Sequence, residues 1–293
     1  MIERRVLVVG DAMLDVIVRP SETLNPTSDT RSRIRLTRGG SGANVAAALA
    51  DCGHHVTYVA AVGPDLAGER FRLGLALAGV NDALEAVEES TGVVVSIVGP
   101  DGQRTMLTDR GANRRLTGDH VSRQLALAFD HLHVSGYTLL DSETRAVGAD
   151  ALRVANERGL TTSVDVCSVG PLREVTPSVF LDAAAGATIL FANEEEASLL
   201  SGASDADGAA TELARRFSEV VVTRGAAGAL ARKGEVRVVA PSRSEGVLDT
   251  TGAGDAATGA YLATRLRDGS MLDALEAAMT QAATVVGRLG SGA

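Results

Sequence analysis

Tryptophan is absent from the 293-residue chain, and only eight residues are aromatic, five Phe and three Tyr. Ring stacking is therefore not expected to dominate ligand recognition, and the core cannot be organised around a few large rings. Alanine and glycine, with 47 and 32 residues, let elements approach closely and require a core of many Val, Leu and Ala contacts. Lysine is almost missing too, Lys233 standing alone beside 27 arginines. That excludes a phosphate loop of the G-x-x-x-x-G-K-[ST] type and a protein-kinase lysine, and it leaves Schiff-base chemistry only Lys233, in the turn Arg232-Lys233-Gly234. Phosphate chemistry in this chain has to use backbone amides and arginine.

Positive charge is in deficit, with 28 Lys and Arg against 37 Asp and Glu for a net −9, which argues against a nucleic-acid surface. The two cysteines, Cys52 and Cys167, cannot make a disulfide framework and read as small buried hydrophobes in a reducing compartment. No apolar run approaches the roughly 18 residues of a membrane span. The start, Met1-Ile2-Glu3-Arg4-Arg5, leads directly into a strand-like segment without a leader cleavage pattern. A soluble cytoplasmic protein is expected, with no membrane partner and a single large domain over 1–293.

Short β-rich runs alternate with helical stretches: Val6–Val9, Val56–Val62, Leu132–Val134, Thr161–Asp165, Thr188–Phe191 and Val220–Thr223, with amphipathic Ser142–Arg158 and Ala209–Phe217 among the segments between them. This order predicts an α/β fold with a mostly parallel central sheet and helices on both faces, its functional groups at the carboxyl ends of the strands. Two stretches break the alternation. Arg31–Arg38 has one charged face at period two, and Thr91–Leu107 holds two runs around Pro100-Asp101-Gly102-Gln103. Both read as antiparallel strands of a small β-sheet lid, placed within 12–38 and 91–110.

The segment Asp249-Thr250-Thr251-Gly252-Ala253-Gly254-Asp255 precedes a helical run of small residues, Ala256–Leu266. Glycines at a helix start leave its first amides open, and those amides with the helix dipole form an anion site. A carboxylate beside such a site would repel phosphate unless it faces another atom. The productive arrangement has Asp255 accept a proton from an attacking hydroxyl while the amides stabilise the transferred group. The bland alternative is that Asp255 only complements the helix N-terminus. A second cluster, Gly39-Gly40-Ser41-Gly42-Ala43-Asn44, leads into a helix Val45–Asp51 and suits a polyhydroxylated ligand, or a tight connection. The first strand continues to Asp11, Met13 and Asp15 on one face, where Asp15 could accept sugar hydroxyls or simply face solvent.

These two glycine clusters resemble the two signatures of the ribokinase-like, or pfkB, family of carbohydrate kinases. The likeness extends through Val62-Gly63-Pro64-Asp65 with Gly68, Asp101-Gly102, Gly111-Ala112-Asn113, Asn193-Glu194-Glu195-Glu196, and Val222-Thr223-Arg224-Gly225 with Gly228. The resemblance implies that Asp255 is the catalytic base and Gly252, Ala253 and Gly254 the anion hole, with Asp15, Gly40 and Asn44 on sugar hydroxyls. It further implies that Asn193 and Glu196 lie near the phosphates of ATP and organise Mg2+ through water, and that Thr223, Gly225 and Gly228 form the loop beside the nucleotide. Asp249, Thr251 and Gly290 match positions that hold a monovalent cation such as K+ in some members. Mg2+ held largely by water and phosphate suits the few carboxylates available.

The chain departs from ribokinases at Met13, where they carry asparagine, at Ser135-Gly136-Tyr137, which lacks their sugar-side glutamate, and at Met279, where a histidine or asparagine often flanks adenine. The expected activity is ATP-dependent phosphorylation of a primary hydroxyl on a small sugar. A nucleoside or pseudouridine kinase is the alternative within enzymes, and a non-catalytic sugar or nucleotide sensor the alternative outside them. Lid strands offer exposed edges, so a homodimer through them is expected. The pairs His54-His55 and His131/His133 lack a metal-ligand set and read as ordinary surface or strand-end histidines. Asp165 and Ser168–Leu172 are candidate substrate or phosphate contacts, while Arg104 and Arg110 could meet an anionic substituent or remain solvated.

Overall fold

The apolar run Val6–Val9 is buried on both sides, with Leu7 and Val9 in one hydrophobic core and Val6 and Val8 in another. A strand covered on both faces belongs inside a parallel sheet. The computed structural model of the chain describes residues 3–99, 104–244 and 252–286. Its strands are β1 (Arg5–Val9), β2 (Met13–Pro20), β3 (Ser32–Gly39), β4 (His55–Val59), β5 (Ala61–Val62), β6 (Asn81–Asp82), β7 (Glu85–Ala86), β8 (Gly92–Val98), β9 (Arg104–Asp109), β10 (His131–Ser135), β11 (Thr161–Asp165), β12 (Ile189–Asn193), β13 (Glu219–Thr223), β14 (Ala229–Lys233) and β15 (Val236–Ala240). The helices are α1 (Ser41–Asp51), α2 (Leu66–Leu77), α3 (Gly118–Leu125), α4 (Gly136–Leu140), α5 (Arg145–Glu157), α6 (Val169–Val175), α7 (Pro177–Ala183), α8 (Glu194–Ser201), α9 (Ala206–Leu213), α10 (Ala253–Arg265) and α11 (Met271–Val286).

The large sheet has the order β15-β14-β13-β12-β11-β10-β1-β4-β6, parallel from β6 to β13 and closed by antiparallel β14 and β15. Residues of α1, α2, α10 and α11 cover one face, and those of α3 to α9 cover the other. This is the expected mostly parallel sheet with helices on both faces. A separate four-stranded sheet, β3-β2-β8-β9, stands beside it, with β2 antiparallel to β3 but parallel to β8. No helix among the described residues is long and apolar enough to cross a membrane.

Local sequence explains several boundaries. Asp65 caps α2 by accepting from the Gly68 amide at 2.8 Å, and its other oxygen accepts from the Thr91 amide, tying that helix to the start of β8. Asn193 and Glu196 form a reciprocal capping box at the start of α8. Helices α1 and α10 cross at Gly259, where an added Cβ would stand 2.5 Å from that of Ala48, so the small side chain sets how closely these two helices pack.

Some expectations need correction. The run Val56–Val62 is two strands, because after Val59 the chain leaves the large sheet and Ala61–Val62 pairs with Glu85–Ala86. The first strand ends at Val9, and Met13–Pro20 belongs to the small sheet, so Asp11 lies in the crossing between the two sheets rather than on one strand face with Asp15. Helix α1 starts at Ser41, four residues earlier than expected, since the Asn44 amide already bonds to the Gly40 carbonyl at 3.0 Å. Helix α10 likewise starts at Ala253. Both shifts put polar residues of the glycine clusters into a first helical turn.

Candidate functional site

Gly40 precedes α1 with φ +93°, and a Cβ there would collide with the Asp11 carbonyl, so the position needs glycine for both conformation and room. Gly252 caps α10 with φ +75°. Both N-caps are glycines, so neither helix start is covered by its own capping side chain, and the Gly42 amide of α1 faces the buried Asp11 carboxylate. The two starts converge. Ser41 Oγ donates to Asp255 Oδ1 at 2.7 Å, and Asn44 Nδ2 donates to Asp255 Oδ2 at 2.8 Å.

The carboxylate so held is partly buried, and burial first, then the nearby charge of Asp165, pushes its pKa up to about 7. Asp165, at the carboxyl end of β11, is itself pushed up to about 7 by burial and by Glu196. Its oxygens accept from Thr258 Oγ1 at 2.8 Å and from the Cys167 amide at 3.2 Å. Asp15 sits on β2 over Gly39, raised to about 6 by burial and by Asp11. A cleft of about 100 Å³ is lined by residues that include Asp165, Asn193, Glu196, Thr223, Gly254, Asp255 and Met279, and Asn193 and Thr223 also line an open groove reaching Arg224 and Gly225.

The structure therefore brings Asn44, Asp255 and Gly254 together at one end of this cleft, and Asn193, Glu196, Thr223 and Gly225 along its continuation. Gly228 closes the turn after Thr223, where the Arg224 amide donates to its carbonyl at 2.8 Å. Glu196 is buried and spends one oxygen on its own helix, Oε2 accepting from the Asn193 amide at 2.8 Å. Asp249, Thr251 and Gly290 lie outside the described residues. No group of three or more His, Cys, Asp or Glu arranged for a metal occurs among the described residues.

Three residues of the site were missed or underrated in the sequence. Ser41 was hidden inside a glycine run. Asp165 had a usable signal, a carboxylate ending a buried strand. Cys167 departs from the reading as a buried hydrophobe: half-buried, with φ +73°, it lines the cleft with its sulfur 3.3 Å from Ser41 Oγ. A non-glycine residue in that conformation stores strain of order 1 kcal/mol or more. Buried His131 and His133 bond to Thr161 and Ser163, and burial lowers both to about 3, so they stay neutral parts of the core.

The model of the pfkB family carbohydrate kinases matches residues 3–293. The chain belongs to this family. It is a pfkB carbohydrate kinase of the sugar and nucleoside kinase group. It is 33% identical over 293 residues to the ATP-dependent ribose-1-phosphate kinase of Halopiger xanaduensis, covering 98% of this chain and 93% of that one. Among solved structures, adenosine kinase from Sinorhizobium meliloti is 25% identical with a TM-score of 0.90, covering 100% of this pfkB chain and 96% of that one. An E. coli protein assigned as ribokinase II and solved with ATP and Mg2+ shares the fold at 23% identity and a TM-score of 0.87, covering 98% of this chain and 94% of that one.

Proposed function

We propose that the chain is an ATP-dependent kinase that phosphorylates a primary hydroxyl of a small sugar or sugar-like compound, with Asp255 as the base. The observation that carries this reading is the Asp255 carboxylate in the first turn of α10, held by Ser41 and Asn44 behind a glycine N-cap and pushed up to about 7 by burial and by Asp165. The acceptor oxygen bonds to the γ-phosphorus as the bond to ADP breaks, and its proton passes to Asp255. The Gly252, Ala253 and Gly254 amides face the charge that develops on the phosphoryl oxygens. Asp15, Gly40 and Asn44 hold the sugar hydroxyls. The nucleotide lies along Asn193, Glu196, Thr223, Gly225 and Gly228.

The donor set fits a magnesium ion held mainly by water and phosphate. Glu196 has an oxygen without a hydrogen bond among the described residues, and burial together with the charge of Glu196 pushes the neighbouring carboxylate of Asp165 up. When bound, Mg2+ supplies charge neutralisation for the phosphates. Asp249, Thr251 and Gly290 are assigned to a monovalent cation behind the anion hole. A screen of ADP release over free sugars, sugar phosphates, sugar acids and nucleosides tests the reading. Ligand-induced stabilisation without ADP formation would make the protein a sensor. The likeness to adenosine kinase supports a nucleoside kinase as the second reading, and turnover confined to nucleosides would establish it.

A base must be ionised to act, so kcat/KM should rise with pH through about 7 and level off above it. Asp165→Asn removes a neighbouring negative charge and should move that limb to lower pH. A wild-type limb centred below pH 5 would show that Asp255 is not the group responsible.

Two copies pair through the small sheet. Its register gathers Val16, Val18, Ile34, Leu36, Val95 and Leu107 on the face opposite Asp15, and Ile34, Leu36 and Leu107 are exposed. Such a face needs a cover. Sedimentation should show a dimer at micromolar concentration, and a strictly monomeric profile would remove the assignment.

A further inference from the structure

The cleft holds a sulfur that phosphoryl transfer as described above does not use. Cys167 lies just after β11, on the cleft wall between Asp165 and Asp255. Backbone and side chain both turn back on Asp165: the Cys167 amide donates to Asp165 Oδ1 at 3.2 Å, and the thiol lies 3.3 Å from the Asp165 carbonyl oxygen. The same sulfur stands 3.3 Å from Ser41 Oγ and 3.5 Å from Ser135 Oγ. Ser41 gives its one hydroxyl proton to Asp255 Oδ1, so toward Cys167 it can only accept, and the thiol proton is shared between Ser41 Oγ and the Asp165 carbonyl. Burial and the charge of Asp165 hold the thiol well above its ordinary range, so it keeps that proton.

The backbone shows that this side chain is kept at a cost. At φ +73° Cys167 occupies the left-handed region, where glycine is unstrained and a residue with a β-carbon is not. Packing does not repay the strain, because Cys167 belongs to neither hydrophobic core and its sulfur meets three oxygens. Strain that persists in a cleft of this kind points to a task at the site. Ser41 and Asp165 bear on the base in opposite directions: the Ser41 hydrogen bond favours the ionised form of Asp255, and the charge of Asp165 disfavours it. Asp11, Asp15, Glu196 and Arg38 also act on Asp255 through their charges, and Tyr58 and Tyr137 face it as neutral phenols. Of all these groups, only Ser41 and Asp165 are bonded to Cys167 among the described residues.

We propose that Cys167 is a positioning residue for the base: its thiol holds the Ser41 hydroxyl on Asp255 and fixes Asp165 relative to it. This deepens the kinase reading and rests on it. Without the thiol, Ser41 at the start of α1 is free to turn its hydroxyl to water, and the base loses one of the two donors that orient it.

Glycine and serine at this position separate support of the base from support of the fold. Cys167→Gly should keep Tm within about 2 °C of wild type, since relief of the backbone offsets the added freedom of the unfolded chain. Its kcat should nevertheless fall about tenfold, with KM for the acceptor within about threefold of wild type. The rising limb of its pH profile should move to higher pH, because the ionised base has lost a donor. Cys167→Ser keeps a proton donor on the same Cβ and should hold kcat within about threefold of wild type with no gain in Tm. Ser41→Ala should cost at least as much as Cys167→Gly, and combining the two should cost less than about twofold more than Ser41→Ala alone. An unchanged kcat and limb in Cys167→Gly, a larger fall in its Tm, or losses that multiply in the double variant overturns the inference. If no acceptor yields ADP with the wild type, the kinase reading fails separately, and NMR titration of the Asp255 carboxyl carbon, assigned through Asp255→Asn, decides this one. A pKa that rises in Cys167→Gly and returns in Cys167→Ser sustains the positioning role, whereas the same titration in all three proteins abolishes it.

Discussion

Replacing Asp255 by asparagine is expected to lower kcat by about a thousandfold while KM for the acceptor changes by less than about tenfold. The substitution is chemically narrow. Asn44 Nδ2 can still donate to the amide oxygen, and the Ser41 hydroxyl can turn to accept from the amide nitrogen, so the bridge between α1 and α10 survives. What is lost is the basic oxygen. An amide cannot take the acceptor's proton, and the developing charge on the attacking oxygen then has no outlet. A coupled measurement of ADP release, with the circular dichroism spectrum as a check on folding, reads the effect. Turnover within tenfold of wild type would mean that another group, or water, accepts the proton, and the role assigned to Asp255 would be wrong. The companion Asp165→Asn variant should keep far more activity, because Asp165 acts through the field at Asp255 rather than on the substrate.

Much of this site can be read from the sequence because its parts are contiguous. Asp255 and the glycines ahead of it fall within four residues, and the chemistry of a helix start follows from their order. The alternation of short β runs likewise fixes the parallel sheet, and with it the edge where Asp165, Asn193 and Thr223 gather. Partnership across the fold is less legible. That Asn44 and Ser41 hold Asp255 depends on how α1 crosses α10, and the close crossing is set by Gly259 against Ala48, residues about 210 positions apart with nothing local to mark them. The sequence also suggests free roles for Asn193 and Glu196 near phosphate, yet their spacing is equally that of a capping box, and the structure shows both side chains bonded to the helix start they occupy. Arg110 illustrates a third limit. A basic residue in a lid region reads as solvated or as able to meet an anionic substituent until its surroundings are known, and its shielding depends on Tyr137 and Asp141, which come from a different part of the chain.

The largest loss of stability is expected from Glu219→Ala, far from the proposed chemistry. Glu219 begins β13 at 2% exposure and accepts from Tyr261 Oη at 2.8 Å, Arg265 Nε at 3.0 Å and an Arg265 terminal nitrogen at 2.8 Å. Tyr261 and Arg265 both lie on α10, so one carboxylate anchors the far end of the helix that carries Asp255 at its start. Its removal leaves a buried phenol without an acceptor and a guanidinium without a counter-charge. Breaking a buried pair costs about 3–5 kcal/mol; Arg265 is 22% exposed and keeps some water, which places the loss near the lower end, about 3 kcal/mol. For a chain of this length that lowers Tm by roughly 5 °C. Glu219→Gln keeps one oxygen that Tyr261 Oη and Arg265 Nε can share but sets an amide nitrogen against the Arg265 terminal nitrogen, so it should still lose about half as much. Thermal unfolding of the three proteins at one pH and salt concentration decides the matter. A Tm for Glu219→Ala within 2 °C of wild type would show that α10 is held by its apolar contacts with α1 and α11, and that the buried carboxylate adds little net stability once its desolvation is counted.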